Sequence, residues 1–119
     1  MTIDIPGLDV QKGLDLYDDD TEIYMIVLRS YVTNMPATLK ILRNLSAETL
    51  QDYMIKAHGV KGTSANIGAE EVRIVAAKLE AMAKAGDLSG ILAENEAFLK
   101  QADTLIENIQ HWLKEFDAK

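Results

Sequence analysis

The chain has 119 residues, which suits one domain with one core, and no cysteine, which excludes a disulfide framework and a thiolate metal site. Its formal charge is −7, with 12 Lys and Arg against 19 Asp and Glu, so it lacks the basic face that nucleic acid or an anionic membrane surface requires. No apolar run approaches the ~18 residues that cross a bilayer. The opening "MTIDIPGLDV" has neither the basic nor the apolar region of a signal peptide, and together these features favour the cytosol.

The spacing predicts a short helix over 8–17, with Leu8, Val10, Leu14 and Tyr17 apolar. "DDDTE" then reads as a helix start, with Asp19 as cap and Glu22 in the reciprocal capping position. Ile23, Ile26, Val27 and Ser30/Tyr31 follow on one face, and Pro36 is expected to kink or end this helix near Asn34. Leu39, Leu42 and Leu45 resume the period. Ser46 is the next expected cap, followed by a core stripe of Leu50, Tyr53, Met54, Ala57, Val60 and Ile67, with Gly68 as the left-handed C-terminal cap. Residues 69–85 form another predicted helix, with Val72, Val75, Leu79 and Met82 inward. Gly86 ends it, and Asp87 caps the last and longest helix, which carries Ile91, Phe98, Leu105, Ile109 and Leu113 in register. There is no alternating β pattern, repeat or flexible linker. The expected fold is all-α, an antiparallel four-helix bundle with an additional short N-terminal helix, as a single domain over 1–119 whose core spans roughly 8–116. Met1 and the polar end at Lys119 favour a complete, stand-alone chain.

The segment "AHGVKGTSANIGA", residues 57–69, places two glycines within four residues of His58, one of two histidines. Each mid-helix glycine costs roughly 1 kcal/mol relative to alanine. On a wheel of about 100° per residue, His58 lies roughly 100–120° from the core direction, at the solvent flank. Its helical neighbours are Met54, Lys61, Gly62 and Ala65. A neutral imidazole nitrogen is a nucleophile, Gly62 removes bulk one turn away, and Lys61 could steady a phosphoryl or carboxylate oxygen. By spacing alone, a lone flank histidine is more often simply a solvated side chain. Gly59 points away from this face and reads as tolerated or closely packed. Ile55 lies nearly opposite the core, either under the N-terminal helix or on a docking surface.

Other chemistries fail on geometry. Ser64 is roughly 240° around the helix from His58, so the two form no nucleophile–base pair. Ile55 and Asn108 stand where a di-iron bundle would need glutamates, and no His-x-x-x-His pair offers a zinc site. No glycine-rich nucleotide loop is present. His111, beside Trp112, reads as a structural or helix-end residue.

With these residues in hand, the sequence resembles the histidine-containing phosphotransfer (HPt) domain family, whose signature is close to Ala-His-x-Leu-Lys-Gly-Ser-Ser-x-x-Leu-Gly-Ala. Ala57, His58, Lys61, Gly62, Ser64, Gly68 and Ala69 match it, and Val60, Thr63 and Ile67 are conservative replacements. The resemblance covers roughly 8–116. It implies a phosphorelay intermediate in which His58 accepts a phosphoryl group from a receiver-domain aspartate and passes it to another receiver. Lys61 would stabilise the phosphoryl oxygens and Gly62 would give the receiver access. The resemblance further implies a carrier rather than an enzyme, with no cofactor of its own, because the partner supplies Mg²⁺ and the acidic pocket. Expected partners are response-regulator receivers and a hybrid histidine kinase, met by a monomer through a face around Gln51, Met54, Ile55 and Ala65. The alternative is a bundle of the same fold that binds a receiver or another signalling protein without carrying phosphate.

Overall fold

In the computed structural model, which describes residues 2–119, five helices follow one another: α1 (Val10–Asp15), α2 (Thr21–Arg43), α3 (Leu50–Ala65), α4 (Glu70–Lys84) and α5 (Leu88–Asp117). Met1, where the chain is expected to start, lies outside the described residues. Thirty residues of α5 at about 1.5 Å each span ~45 Å, and the molecule's longest extent is 47 Å. One helix therefore sets the length of the molecule, and the others fold back along it.

Cross-helix bonds define the antiparallel order. The start of α2 meets the end of α5 and the end of α2 meets the first half and middle of α5, with Arg29 against Asp117, Leu42 against Asn95 and Arg43 against Asp103. Tyr31 meets Ser64 while Tyr24 meets Ile67, so α2 and α3 also run opposite ways. The connections of α3 to α4 and of α4 to α5 are short, and His58–Glu80 and Lys78–Glu94 pair across them. The result is the expected all-α four-helix bundle of α2–α5, with α1 added at one end.

The core confirms most inward positions, including Tyr53, Ala57, Val60, Val72, Leu79, Phe98, Ile109 and Leu113. On α2 the expected face holds at Tyr31, Leu39 and Leu42, which are buried, but not at Ile23 and Ile26. Ile23 and Ile26 are 44% and 67% exposed, and the buried stripe is Tyr24, Met25, Leu28, Tyr31, Met35, Leu39 and Leu42. Both stripes are apolar; the hydroxyls decide between them. Tyr24 donates to the Ile67 carbonyl at 2.8 Å and Tyr31 shares a 3.0 Å bond with Ser64, contacts available only from the interior.

Three local expectations are corrected. Pro36 neither ends nor interrupts α2, which runs on to Arg43. The proline is exposed, and burial of Met35, Leu39 and Leu42 outweighs the ~3 kcal/mol such a proline costs. The cap of α2 is Asp20 rather than Asp19, with its carboxylate accepting from the Glu22 and Ile23 amides. Asp18 and Asp19 take left-handed turn conformations instead, φ 53° and 62°. Ser46 caps a turn ahead of α3: its hydroxyl accepts from the Thr49 amide while the Thr49 hydroxyl accepts from the Ser46 amide, and α3 starts one residue later.

The N-terminal segment clamps the end of α3. The Asp9 amide donates to the Gly68 carbonyl at 2.8 Å, and Tyr17 donates to Asn66 at 2.7 Å. Gly68 has φ +78°, and a Cβ there would sit 2.1 Å from the Asp9 carbonyl oxygen; a Cβ at Gly13 would sit 2.7 Å from the Ile67 carbonyl oxygen. Both obstacles are backbone and cannot swing aside. Gly13→Ala and Gly68→Ala should each lower stability by about 1–3 kcal/mol in denaturant titration, with Gly68→Ala the worse because it adds left-handed strain.

Three buried tyrosines make the bundle sensitive to alkali. Burial pushes Tyr31 up to about 12, only partly offset by its bond to Ser64, and raises Tyr24 and Tyr53 as well. The neutral phenols are the folded forms, so this stability is complete below the usual value of 10.0 and is lost as pH climbs towards 12. Tyrosinate absorbance and loss of helical ellipticity should rise together over that interval.

Candidate functional site

His58 projects from the middle of α3 with its side chain 66% exposed, at the solvent flank as the wheel predicts. Its partner is one the sequence did not single out. Nδ1 of His58 lies 2.6 Å from Oε2 of Glu80 on α4, and Nζ of Lys61 lies 2.7 Å from Oε1 of the same carboxylate. The Glu80 side chain is only 8% exposed. Both of its oxygens are engaged, one by each neighbour.

Lys61 beside Glu80 holds the carboxyl below its ordinary range; burial opposes this, and the bond to His58 adds to it. An ionised carboxylate has no hydrogen to give, so the short bond must be Nδ1–H donating. In the neutral ring this places the proton on Nδ1 and the lone pair on Nε2, on a side chain that is mostly exposed. A neutral imidazole gains basicity from such a bond, because the ring is held and a negative charge sits behind it.

Gly62, one turn beyond His58, is exposed, and a Cβ there would meet nothing within 4 Å. The fold does not need that glycine, so the space it leaves is open to an approaching molecule. Of the residues expected to form a docking face, Gln51 and Ile55 are exposed, while Met54 and Ala65 are half-buried, Met54 packing against the core. Ile55 is 55% exposed and does not lie under α1, which sits at the far end of α3. His111 is exposed on α5, 3.1 Å from Glu115 and remote from Glu80 in sequence and element. Among the described residues no cluster of three or more potential ligands could hold a metal ion.

Glu80 was legible in part. It falls beside the buried stripe Val72, Ala76, Leu79 and Ala83 of α4, and a carboxylate at the edge of such a stripe calls for a cation from a neighbouring helix. What spacing cannot supply is which helix faces it.

The four-helix bundle thus displays His58 on the surface of α3, backed by the Glu80 carboxylate and beside Lys61. The Hpt domain family matches residues 26–112, which include all of α3 and α4. The chain belongs to the Hpt domain family. The phosphorelay intermediate protein rdeA of Dictyostelium discoideum is 28% identical over 103 residues, 86% of this chain and 39% of that protein. The chain thus spans about two-fifths of the length of that curated relative. No solved structure matches the chain.

Proposed function

We propose that the chain is a phosphorelay intermediate that carries a phosphoryl group on Nε2 of His58. The observation that carries this reading is the Glu80 carboxylate behind Nδ1, which leaves the opposite ring nitrogen bare on an open surface. Membership of the Hpt family and likeness to a phosphorelay intermediate support it.

The step balances without a group from outside the two proteins' reacting centres. The Nε2 lone pair attacks the phosphorus of a receiver aspartyl phosphate. An N–P bond forms, the P–O bond to the aspartate breaks, and a carboxylate leaves. The ring keeps its Nδ1 proton and becomes cationic, and Glu80 balances that charge. Onward transfer to a second receiver is the reverse. Because phosphoryl transfer is mainly positioning and charge stabilisation, the carrier needs only a held ring and access. Lys61, on the same carboxylate, supplies positive charge for the phosphoryl oxygens. The chain is a carrier and not an enzyme, a single domain over 1–119 working as a cytosolic monomer with receivers and a hybrid histidine kinase. Among the described residues no helix is long and apolar enough to cross a membrane.

Incubation with a phosphorylated receiver domain tests the proposal. It requires acid-labile, alkali-stable phosphate on this chain; binding without label would favour the pure interaction module. Gly62→Gln, where the fold has room for a side chain, should keep its ellipticity and load roughly 10–100-fold more slowly, because a displaced donor loses near-attack geometry. Stopped-flow or quench loading rates check this.

A further inference from the structure

Accepting a phosphoryl group and releasing it make different demands on the ring. When the Nε2–P bond breaks, its electron pair returns to the ring. The leaving group is neutral imidazole only if Nδ1 still holds its proton; otherwise the ring must leave as an imidazolate anion, a far poorer leaving group. An unsupported imidazole sheds its ring proton above about pH 6.5. The Nδ1 proton of the loaded ring therefore decides how readily the carrier discharges.

Glu80 stands where it controls that proton. Its Oε2 lies 2.6 Å from Nδ1, and its side chain is only 8% exposed, so water and salt screen its charge less than at the open surface. A carboxylate at that distance favours the charged form of its partner, and the loaded ring is charged.

The groups around the pair leave this task to Glu80. Lys61, on Oε1, keeps the carboxyl ionised. Lys84 follows one turn along α4 and is exposed, and Lys78 is turned to Glu94 of α5. Towards α2, the groove lined by Gly59, Val27, Asn34 and Met35 brings only Lys56 and Tyr31 as titratable groups, and the Tyr31 hydroxyl is bonded to Ser64. Among the described residues that bond to the ring or line this groove, Glu80 is the only anion.

We propose that Glu80 keeps the Nδ1 proton on phosphorylated His58 into mildly alkaline solution, so that the stored group stays transferable to a receiver aspartate and, when no receiver is present, to water. In the loss to water, the water oxygen bonds to phosphorus and the Nε2–P bond breaks. The electron pair returns to Nε2, neutral imidazole keeps its Nδ1 proton, and the proton of the attacking water leaves with inorganic phosphate. Glu80 acts through the ring, as a positioning residue. The inference rests on the phosphotransfer reading and adds the lifetime of the stored group and its dependence on pH.

The test needs no partner. The full chain is loaded with phosphoramidate, freed of the donor, and held either folded or in denaturing urea. At about pH 9, above the ordinary histidine value and below the tyrosine value of 10.0, the bundle stays folded. There the folded chain should lose phosphate about tenfold faster than the unfolded one, since raising the ring's protonation range by one unit leaves about tenfold more of it cationic. Folded Glu80→Gln should lose phosphate at the unfolded chain's rate, and Glu80→Asp should fall between. At about pH 5, where every ring is protonated, the rates should converge. Alkali stability, read on the denatured chain, is unchanged. Equal loss from folded and unfolded wild type at the alkaline pH overturns the inference without recourse to any variant. A folded Glu80→Gln that discharges like the wild type also overturns it. Failure of both phosphoramidate and a phosphorylated receiver to label wild-type His58 strikes the phosphotransfer reading, and this inference with it.

Discussion

His58→Gln should abolish acid-labile phosphate on the chain and leave the bundle folded. The ring is two-thirds exposed, so its removal costs little packing. Glutamine reaches a similar distance, and its amide can still bond to Glu80, but an amide nitrogen has no available lone pair with which to attack phosphorus. His111→Gln keeps the full label, because that ring faces Glu115 on α5 and has no buried carboxylate behind it. Phosphate counting after exposure to a phosphorylated receiver, with ellipticity as control, separates the two variants.

Glu80→Gln should have the second-largest effect, through the ring that its carboxylate holds. The amide can hold a hydrogen bond to the ring yet cannot dictate which nitrogen keeps the proton, and it brings no charge to balance a cationic phosphoimidazole. Loss of a carboxylate that orients a histidine typically costs 10–100-fold, and loading should slow by roughly that factor while the melting temperature changes little. Glu80→Asp should restore part of the rate by restoring the charge at a shorter reach. A purely structural role for Glu80 would give the opposite pattern, with stability lost and the loading rate intact. The carboxyl is held below its usual 4.5 by Lys61 first, so the arrangement is complete above that pH and is lost only as pH falls through the lowered value. Loading by Glu80→Gln should lack this acid limb.

The sequence carries the architecture well where one residue type decides the local conformation. Gly68 takes positive φ as expected, Gly86 ends α4, and Asp87 caps α5 through the Gly90 amide. It carries it poorly where two outcomes share one pattern. The α2 helix has apolar residues on two faces, and only the hydroxyls of Tyr24 and Tyr31, which need the end of α3, select the buried one. Pro36 reads as a break, yet tertiary burial on the opposite side of the helix keeps α2 continuous. The site divides the same way. His58, Lys61 and Gly62 share one helix and are found by spacing. Glu80 lies nineteen residues beyond Lys61 on another helix, and the groove at Gly59 exists only once α2 is placed beside α3.

The central claim is that Glu80 holds the proton on Nδ1 so that Nε2 of His58 takes the phosphate. Nitrogen NMR of histidine-labelled protein before and after loading reads both nitrogens directly. Before loading, His58 should show a protonated Nδ1 and a bare Nε2. After loading, phosphorus coupling should appear at Nε2 with the Nδ1 proton still in place. Phosphorus coupling at Nδ1, or on any residue other than His58, would contradict the account.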